Sequence, residues 1–325
     1  GFRLAKRLGL SFGLLPFSNI GYSYSNTKAL NSTDGSTSVV KATNTYSGTG
    51  GLHQVYLGLG WSPFKGFAIG VNAAYLWGDY SRSVINSYTD AYANTLSKYY
   101  TAEVHNYKLD FGMQYTQKIT KNDAITLGVT YGLGHKLSSD PKCQIISTNA
   151  QTAVADTATY SIGNGLELPH SYGVGLMWNH ANRWRVGADY TLQKWSSVAY
   201  PKFDTSTNSY ELVSGQFADR HKMTVGGEFC PDERSRSFFK RVHYRMGASY
   251  ATDYLKIKGQ NGPKEYSVSA GFGIPIVNGY NNRSLLNISA QWARQDSKTF
   301  VTENSFRINI GLTFNERWFA KWKME

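Results

Sequence analysis

Apolar and polar residues alternate with a period of two along most of the chain. Around Asp110, the residues Tyr107, Leu109, Phe111, Met113 and Tyr115 share one face of an extended segment. Lys108, Asp110, Gly112 and Gln114 share the other. The next segment repeats the pattern, with Ile125, Leu127, Val129, Tyr131 and Leu133 set against Thr126, Gly128, Thr130 and Gly132. Successive side chains of a strand point to opposite faces, so this alternation predicts β-strands with one apolar face. It returns at 172–178, 184–192, 286–292 and 306–314, and no segment sustains a helical period.

The pattern predicts about twelve strands. Their expected spans are 8–24, 53–62, 67–84, 99–118, 124–138, 166–179, 184–197, 209–229, 241–256, 264–276, 283–296 and 302–314. The connections alternate in length. Those at 62–66, 119–123, 179–183, 231–240 and 278–282 are short, and those at 25–52, 85–98, 139–165 and 198–208 are long. The connections at 257–263 and 297–301 are short but occupy long-loop positions. Tight turns at one end and long loops at the other characterise an up-and-down barrel, whereas Greek-key sandwiches have no reason to alternate. The expected fold is an all-β, antiparallel up-and-down transmembrane β-barrel, a single domain over 1–325.

No run of about 18 apolar residues is present to form a membrane helix. A barrel strand needs only about ten residues, every second one apolar, so a polar average does not exclude a membrane. The chain of 325 residues holds 23 Tyr and 8 Trp, side chains that favour the membrane–water interface. Aromatics end the apolar stripes near the short turns: Trp61, Phe64, Tyr115, Trp178, Trp184, Phe229 and Phe314. This placement predicts an interfacial girdle. The net charge of +12 also gathers there, from Lys6, Arg7 and Lys65 through Arg234, Arg236, Lys240 and Arg241 to Arg283, Arg317, Lys321 and Lys323. Anionic headgroups account for such a distribution without nucleic acid. The expected setting is the bacterial outer membrane, with short turns and C-terminus periplasmic and long loops extracellular. The expected partners are outer-membrane lipid and lipopolysaccharide. Cys143 and Cys230 fall at opposite ends of this topology and are expected to be unpaired.

No pattern for catalysis emerges. His-x-Ser is absent, and His170-Ser171 places its two side chains on opposite faces. Asp79, Asp90 and His105 could approach one another, but their spacing is unremarkable. No Cys-x-x-Cys or His-Glu-x-x-His metal motif occurs. The expectation is a protein that is not an enzyme and has no cofactor or metal. The polar faces carry Lys108, Asp110, Arg185, Asp189, Lys222, Glu228, Arg245 and Arg307, the candidates for lining the lumen. Inward charges of a barrel usually pair, so an ion-pair network that fixes the wall is the simpler reading of any one of them.

The segment Lys6-Arg7-Leu8-Gly9-Leu10-Ser11-Phe12-Gly13-Leu14-Leu15-Pro16-Phe17-Ser18-Asn19-Ile20-Gly21-Tyr22 resembles the FadL/TodX-like outer-membrane transport proteins of Bacteroidota-type bacteria. So does the ending, Ile308-Asn309-Ile310-Gly311-Leu312-Thr313-Phe314-Asn315-Glu316-Arg317-Trp318-Phe319. The resemblance implies fourteen strands in the complete protein and an N-terminal plug, with the plug and about two strands lying before Gly1. The family's Asn-Pro-Ala element is absent from this chain. The resemblance further implies a lateral opening at Pro16 and Phe17, because proline cannot donate to the ladder. The implied function is passive transport of hydrophobic small molecules such as long-chain fatty acids. Two alternatives remain open. One is an accessory barrel subunit of a larger outer-membrane assembly, for secretion or barrel insertion, with the tail from Trp318 to Glu325 as a docking element for protein partners. The other is a general diffusion porin.

Overall fold

The computed structural model describes residues 1–30, 39–257, 259–276, 284–296 and 302–313. The alternating segments form one antiparallel sheet whose main ladder runs in chain order. Its strands are β1 (Phe2–Ala5), β2 (Leu8–Leu30), β3 (Val40–Trp61), β4 (Phe67–Tyr88), β5 (Thr95–Lys118), β6 (Asp123–Gly132) and β7 (Ser171–His180). They continue with β8 (Trp184–Gln193), β9 (Arg220–Phe229), β10 (His243–Ala251), β11 (Lys264–Ile276), β12 (Ser284–Asp296) and β13 (Glu303–Thr313). Each strand lies beside its neighbour in this series, the topology of an up-and-down transmembrane β-barrel. Among the described residues the ladder ends at β1 and β13. The strands β2 to β13 correspond to the predicted segments, and β1 is an addition.

The short turns form as the sequence suggests. Between β7 and β8, Ala181 and Asn182 both take positive φ (53° and 58°), and the Arg183 amide donates to the His180 carbonyl at 2.9 Å. Two such residues make the hairpin turn whose twist matches that of the flanking strands. The turn between β9 and β10 is larger and contains the helical turn Phe238–Arg241.

The loop end differs from expectation. The regions 25–52 and 85–98 are largely strand, because the Ser/Thr/Asn-rich sequence there continues the ladder. β2, β3, β4 and β5 run for 23, 22, 22 and 24 residues, about twice what a membrane crossing requires. The expected strand 209–229 is two elements, the outer strand of a loop hairpin and β9, separated by a turn at Gly215 with φ +77°. The expected strands 124–138 and 166–179 each break near the loop end. There the short strands His135–Leu137 and Leu166–Leu168 leave the main sheet and pair with each other, and Pro169 interrupts the second. Within 139–165, Lys142–Thr148 pairs with the far end of β5 and Ala155–Ser161 pairs with it in turn.

The apolar stripes are not covered by protein. Leu57, Val174, Val225 and Ile310 are 51%, 47%, 55% and 73% exposed. A soluble sandwich buries such a face, whereas a barrel in a bilayer turns it to lipid. The expected girdle is present on that face, with Trp61, Phe64, Tyr115, Trp178 and Trp184 all exposed. Phe314, Arg283, Arg317, Lys321, Lys323 and the tail from Trp318 to Glu325 lie outside the described residues, as does the expected turn 278–282. Cys143 and Cys230 are both free and buried. The apolar core sits on the opposite face, at the loop end. Leu76 and Val104 are fully buried there beneath Leu137 and Leu168, with Leu52 and Leu166 beside them.

Candidate functional site

The polar face of the sheet carries most of the predicted residues, and the register brings several of them together. Lys108 and Asp110, two apart on β5, form an ion pair. On β8, β9 and β10, Arg185 stands opposite Glu228, and Glu228 opposite Arg245. Glu228 therefore accepts from two arginines, Arg185 Nη1 at 3.0 Å and Arg245 Nε at 2.6 Å. His243 Nδ1 lies 3.1 Å from the same carboxylate, and Arg245 donates onward to Asn287 Oδ1 at 2.6 Å. One carboxylate thus organises three basic side chains across three strands, near the short turns.

Asp189 and Lys222 line one trough together with Gly175, Thr130 and Thr191. A Cβ at Gly175 would run into the Asp189 carboxylate and push that side chain aside. A larger trough of about 650 Å³ adjoins it, walled by Ser11, Gly58, Asn72, Asp110, Gln114 and Thr130. Arg307 stands apart, exposed on β13 opposite Gln291. His105 meets Glu103 at 2.7 Å and Tyr75 at 3.3 Å; Asp79 stands opposite Glu103 and lines the same groove, but among the described residues no hydrogen bond joins Asp79 or Asp90 to His105.

Pro16 and Phe17 mark an irregularity in β2. Pro16 pairs with His53 and Ser18 with Leu52, so Phe17 is the extra residue of a β-bulge. The β2–β3 ladder resumes at once beyond it. The other edge of β2 pairs with β1 only through Leu8, Gly9 and Leu10. Among the described residues that edge is therefore unpaired beside Pro16 and Phe17.

Sequence reasoning missed the cover over the loop end. A hairpin of Tyr200–Asp204 and Ser209–Val213 folds across the polar face. Its base is clamped to the β8–β10 side, where Trp195 stacks on Tyr254 at 4.5 Å and Lys194 pairs with Asp219. Burial raises the Asp219 carboxyl, but hydrogen bonds from Lys194 and Ser196 outweigh it and hold the group at about 2. The clamp is thus complete above the ordinary carboxylate range and is lost only as pH falls toward 2. The far side of the hairpin reaches β4 and β5. Tyr200 comes within hydrogen-bonding reach of Tyr80, Tyr210 lies 6.5 Å from Tyr100, and Lys98 sits 5.3 Å over the Phe203 ring. Arg82 stacks on Tyr100 at 4.6 Å, and its buried Nε has no partner among the described residues.

These features define a class: a membrane β-barrel whose polar interior is partly covered by its own loops. Solved hydrocarbon channels share the fold. The monoaromatic hydrocarbon channel CymD aligns over 96% of this chain and 90% of its own, at 12% identity and a TM-score of 0.59. The toluene transporter TbuX of Ralstonia pickettii aligns over 95% and 89%, at 12% identity and 0.55. A FadL homologue of Pseudomonas aeruginosa aligns over 88% and 69%, at 12% identity and 0.53. The BamG family model matches residues 1–325, and the chain belongs to that family. No curated protein matches it.

Proposed function

We propose that this chain is an outer-membrane channel for passive transport of hydrophobic small molecules, with long-chain fatty acids as one substrate class. The observation that carries the reading is the trough of about 650 Å³ on the polar face of a wall whose other face is apolar and exposed. It gives a small molecule room on the inward side of that wall. The shared fold with hydrocarbon channels supports it. In this reading, 1–325 is one barrel domain with periplasmic short turns and extracellular long loops. The substrate is captured among the loops and passes the lumen lined by Lys108, Asp110, Arg185, Asp189, Lys222, Glu228, Arg245 and Arg307. It leaves laterally at the β2 bulge of Pro16 and Phe17. No energy source is required, because each step follows a concentration gradient. Proteoliposomes holding the protein should take up oleate and toluene faster than protein-free vesicles. Equal rates for both compounds would overturn the proposal.

A second reading, an accessory subunit of a larger outer-membrane assembly, is favoured by one surface. Phe238 and Phe239 are exposed at the short-turn end beside Lys240 and Arg241, with no apolar cover among the described residues. Stable co-purification of a protein that F238S/F239S releases would favour this reading over transport. A general diffusion porin fits less well, since the Tyr200–Val213 hairpin crosses the mouth.

A further inference from the structure

Five of the seven histidines lie on the outward, apolar face near the loop end, and each touches an aromatic residue. His53 lies 5.9 Å from Trp77, ring to ring. His105 bonds Tyr75, and His135 stacks on Tyr107 at 4.3 Å. His170 bonds Tyr131 at 2.9 Å, and His221 bonds Tyr190 at 2.7 Å. Each histidine continues the parity of an apolar stripe. His53 precedes Val55, Leu57 and Leu59; His170 precedes Tyr172, Val174 and Leu176; His221 precedes Met223 and Val225.

The registers place them at one height. His53, Trp77 and His105 share a row. Below it one row is paired throughout, Trp61, Ile69, Met113, Val129, Val174, Tyr190 and Met223, and His53 and His105 stand eight positions above that row, His135 six, His170 four and His221 two. From β3 to β9 this is about one residue per strand. A stagger of ~3.3 Å against a strand spacing of ~4.8 Å corresponds to a tilt of about 35°, the tilt a barrel adopts. The histidines therefore form a nearly level band across β3 to β9, part of a ring around the barrel.

Its height is set by the opposite girdle. Trp61 and His53 are eight positions apart, as are Trp178 and His170, and Phe229 and His221. At that tilt eight positions span about 22 Å, close to the ~25 Å apolar band of such barrels. The ring thus lies where hydrocarbon ends and headgroups begin. At that height His105 shares a groove with the carboxylates of Asp79, Glu103 and Asp140, so the candidate donors are His170 and His221. The Gly134 amide donates to His170 Nδ1 at 3.1 Å, so this nitrogen is an acceptor and the proton resides on Nε2. Neither His170 Nε2 nor His221 Nε2 has a protein partner among the described residues. His105 Nε2 is already taken by Glu103.

We propose that this ring is a docking surface for the phosphate of lipid headgroups in the loop-side leaflet, with His170 and His221 supplying the contacts. A Tyr hydroxyl engages Nδ1 of each imidazole, which leaves Nε2 for the headgroup layer, whose anionic acceptor is phosphate; at His170 the Gly134 amide also holds the proton on Nε2. In nanodiscs of phosphatidylcholine with a minority of phosphatidic acid, lipid retained on the extracted barrel is measured by mass spectrometry. The wild type should retain phosphatidic acid severalfold above its bulk fraction. H170F/H221F should fall to the bulk fraction, and H180F, altered at the short-turn end, should match the wild type. H170Q/H221Q, which keeps a donor at each site, should restore the enrichment and remains informative if the Phe variant does not fold. No enrichment by the wild type, or equal enrichment by a folded H170F/H221F, overturns the proposal.

Discussion

Glu228 shows how one residue can set the arrangement of several strands. Its carboxylate is the common acceptor for Arg185 on β8 and for Arg245 and His243 on β10. Removing it leaves two guanidinium groups facing each other on the polar wall. Breaking a fully buried pair costs roughly 3–5 kcal/mol, but both arginines here are partly exposed, so water offsets part of the loss. Glu228→Ala is expected to destabilise the barrel by about 2 kcal/mol, read as a lower temperature for loss of the compact band in gel electrophoresis. The reciprocal change Arg307→Ala, at an exposed side chain, should leave that temperature unchanged within ~0.5 kcal/mol. A Glu228→Ala barrel as stable as the wild type would show that the network is decoration.

Among the elements, the Tyr200–Val213 hairpin bears most directly on function. It is anchored by Trp195, Phe217 and Tyr254 on one side and rests on Tyr80, Tyr100 and Phe203's neighbours on the other. Replacing 201–212 by a short glycine linker should raise single-channel conductance in planar bilayers, because the span from β8–β10 to β4–β5 is then uncovered. Unchanged conductance would mean that the obstruction lies elsewhere. The sequence predicted the wall of this structure but not its cover, for a physical reason. A wall strand announces itself by alternation, since one face meets lipid along its whole length. The hairpin at 200–213 is short, and its aromatic residues are placed by contacts with β4 and β5, more than a hundred positions away. A signal for the cover did exist. Leu52, Leu76 and Val104 are out of phase with the outward residues Val55, Tyr75 and Tyr107 on the same strands. Apolar residues on the polar face at one height require something apolar above them. The ion pair of Lys108 and Asp110 was readable as two neighbours on one face. The meeting of Arg185 with Glu228 was not, because their register depends on the 26 residues between Gln193 and Arg220.

For the whole molecule, the decisive property is which face meets lipid, and exposure alone does not identify the solvent. Val129 and Thr130 are adjacent on β6, near mid-strand, and both are exposed. In water, arginine at either position would be tolerated almost equally, since surface substitutions usually fall within about 0.5 kcal/mol. In a bilayer the two positions differ in kind. Val129 shares its face with Leu127 and Tyr131 and lies near the middle of the band between the two aromatic rings. Thr130 faces the polar wall beside Gly173, with Asp110 and Asp189 on that same face. Arginine at a bilayer midplane costs roughly 2–4 kcal/mol, whereas a position on the polar wall is spared that cost. Val129→Arg is therefore expected to lower the unfolding free energy from phospholipid vesicles by about 3 kcal/mol, followed by tryptophan fluorescence in denaturant. Thr130→Arg is expected to lower it by less than about 1 kcal/mol, because its guanidinium can reach the Asp110 or Asp189 carboxylates. Equal effects at the two positions would remove the asymmetry between faces on which the membrane orientation, the histidine ring and the proposed conduit all depend.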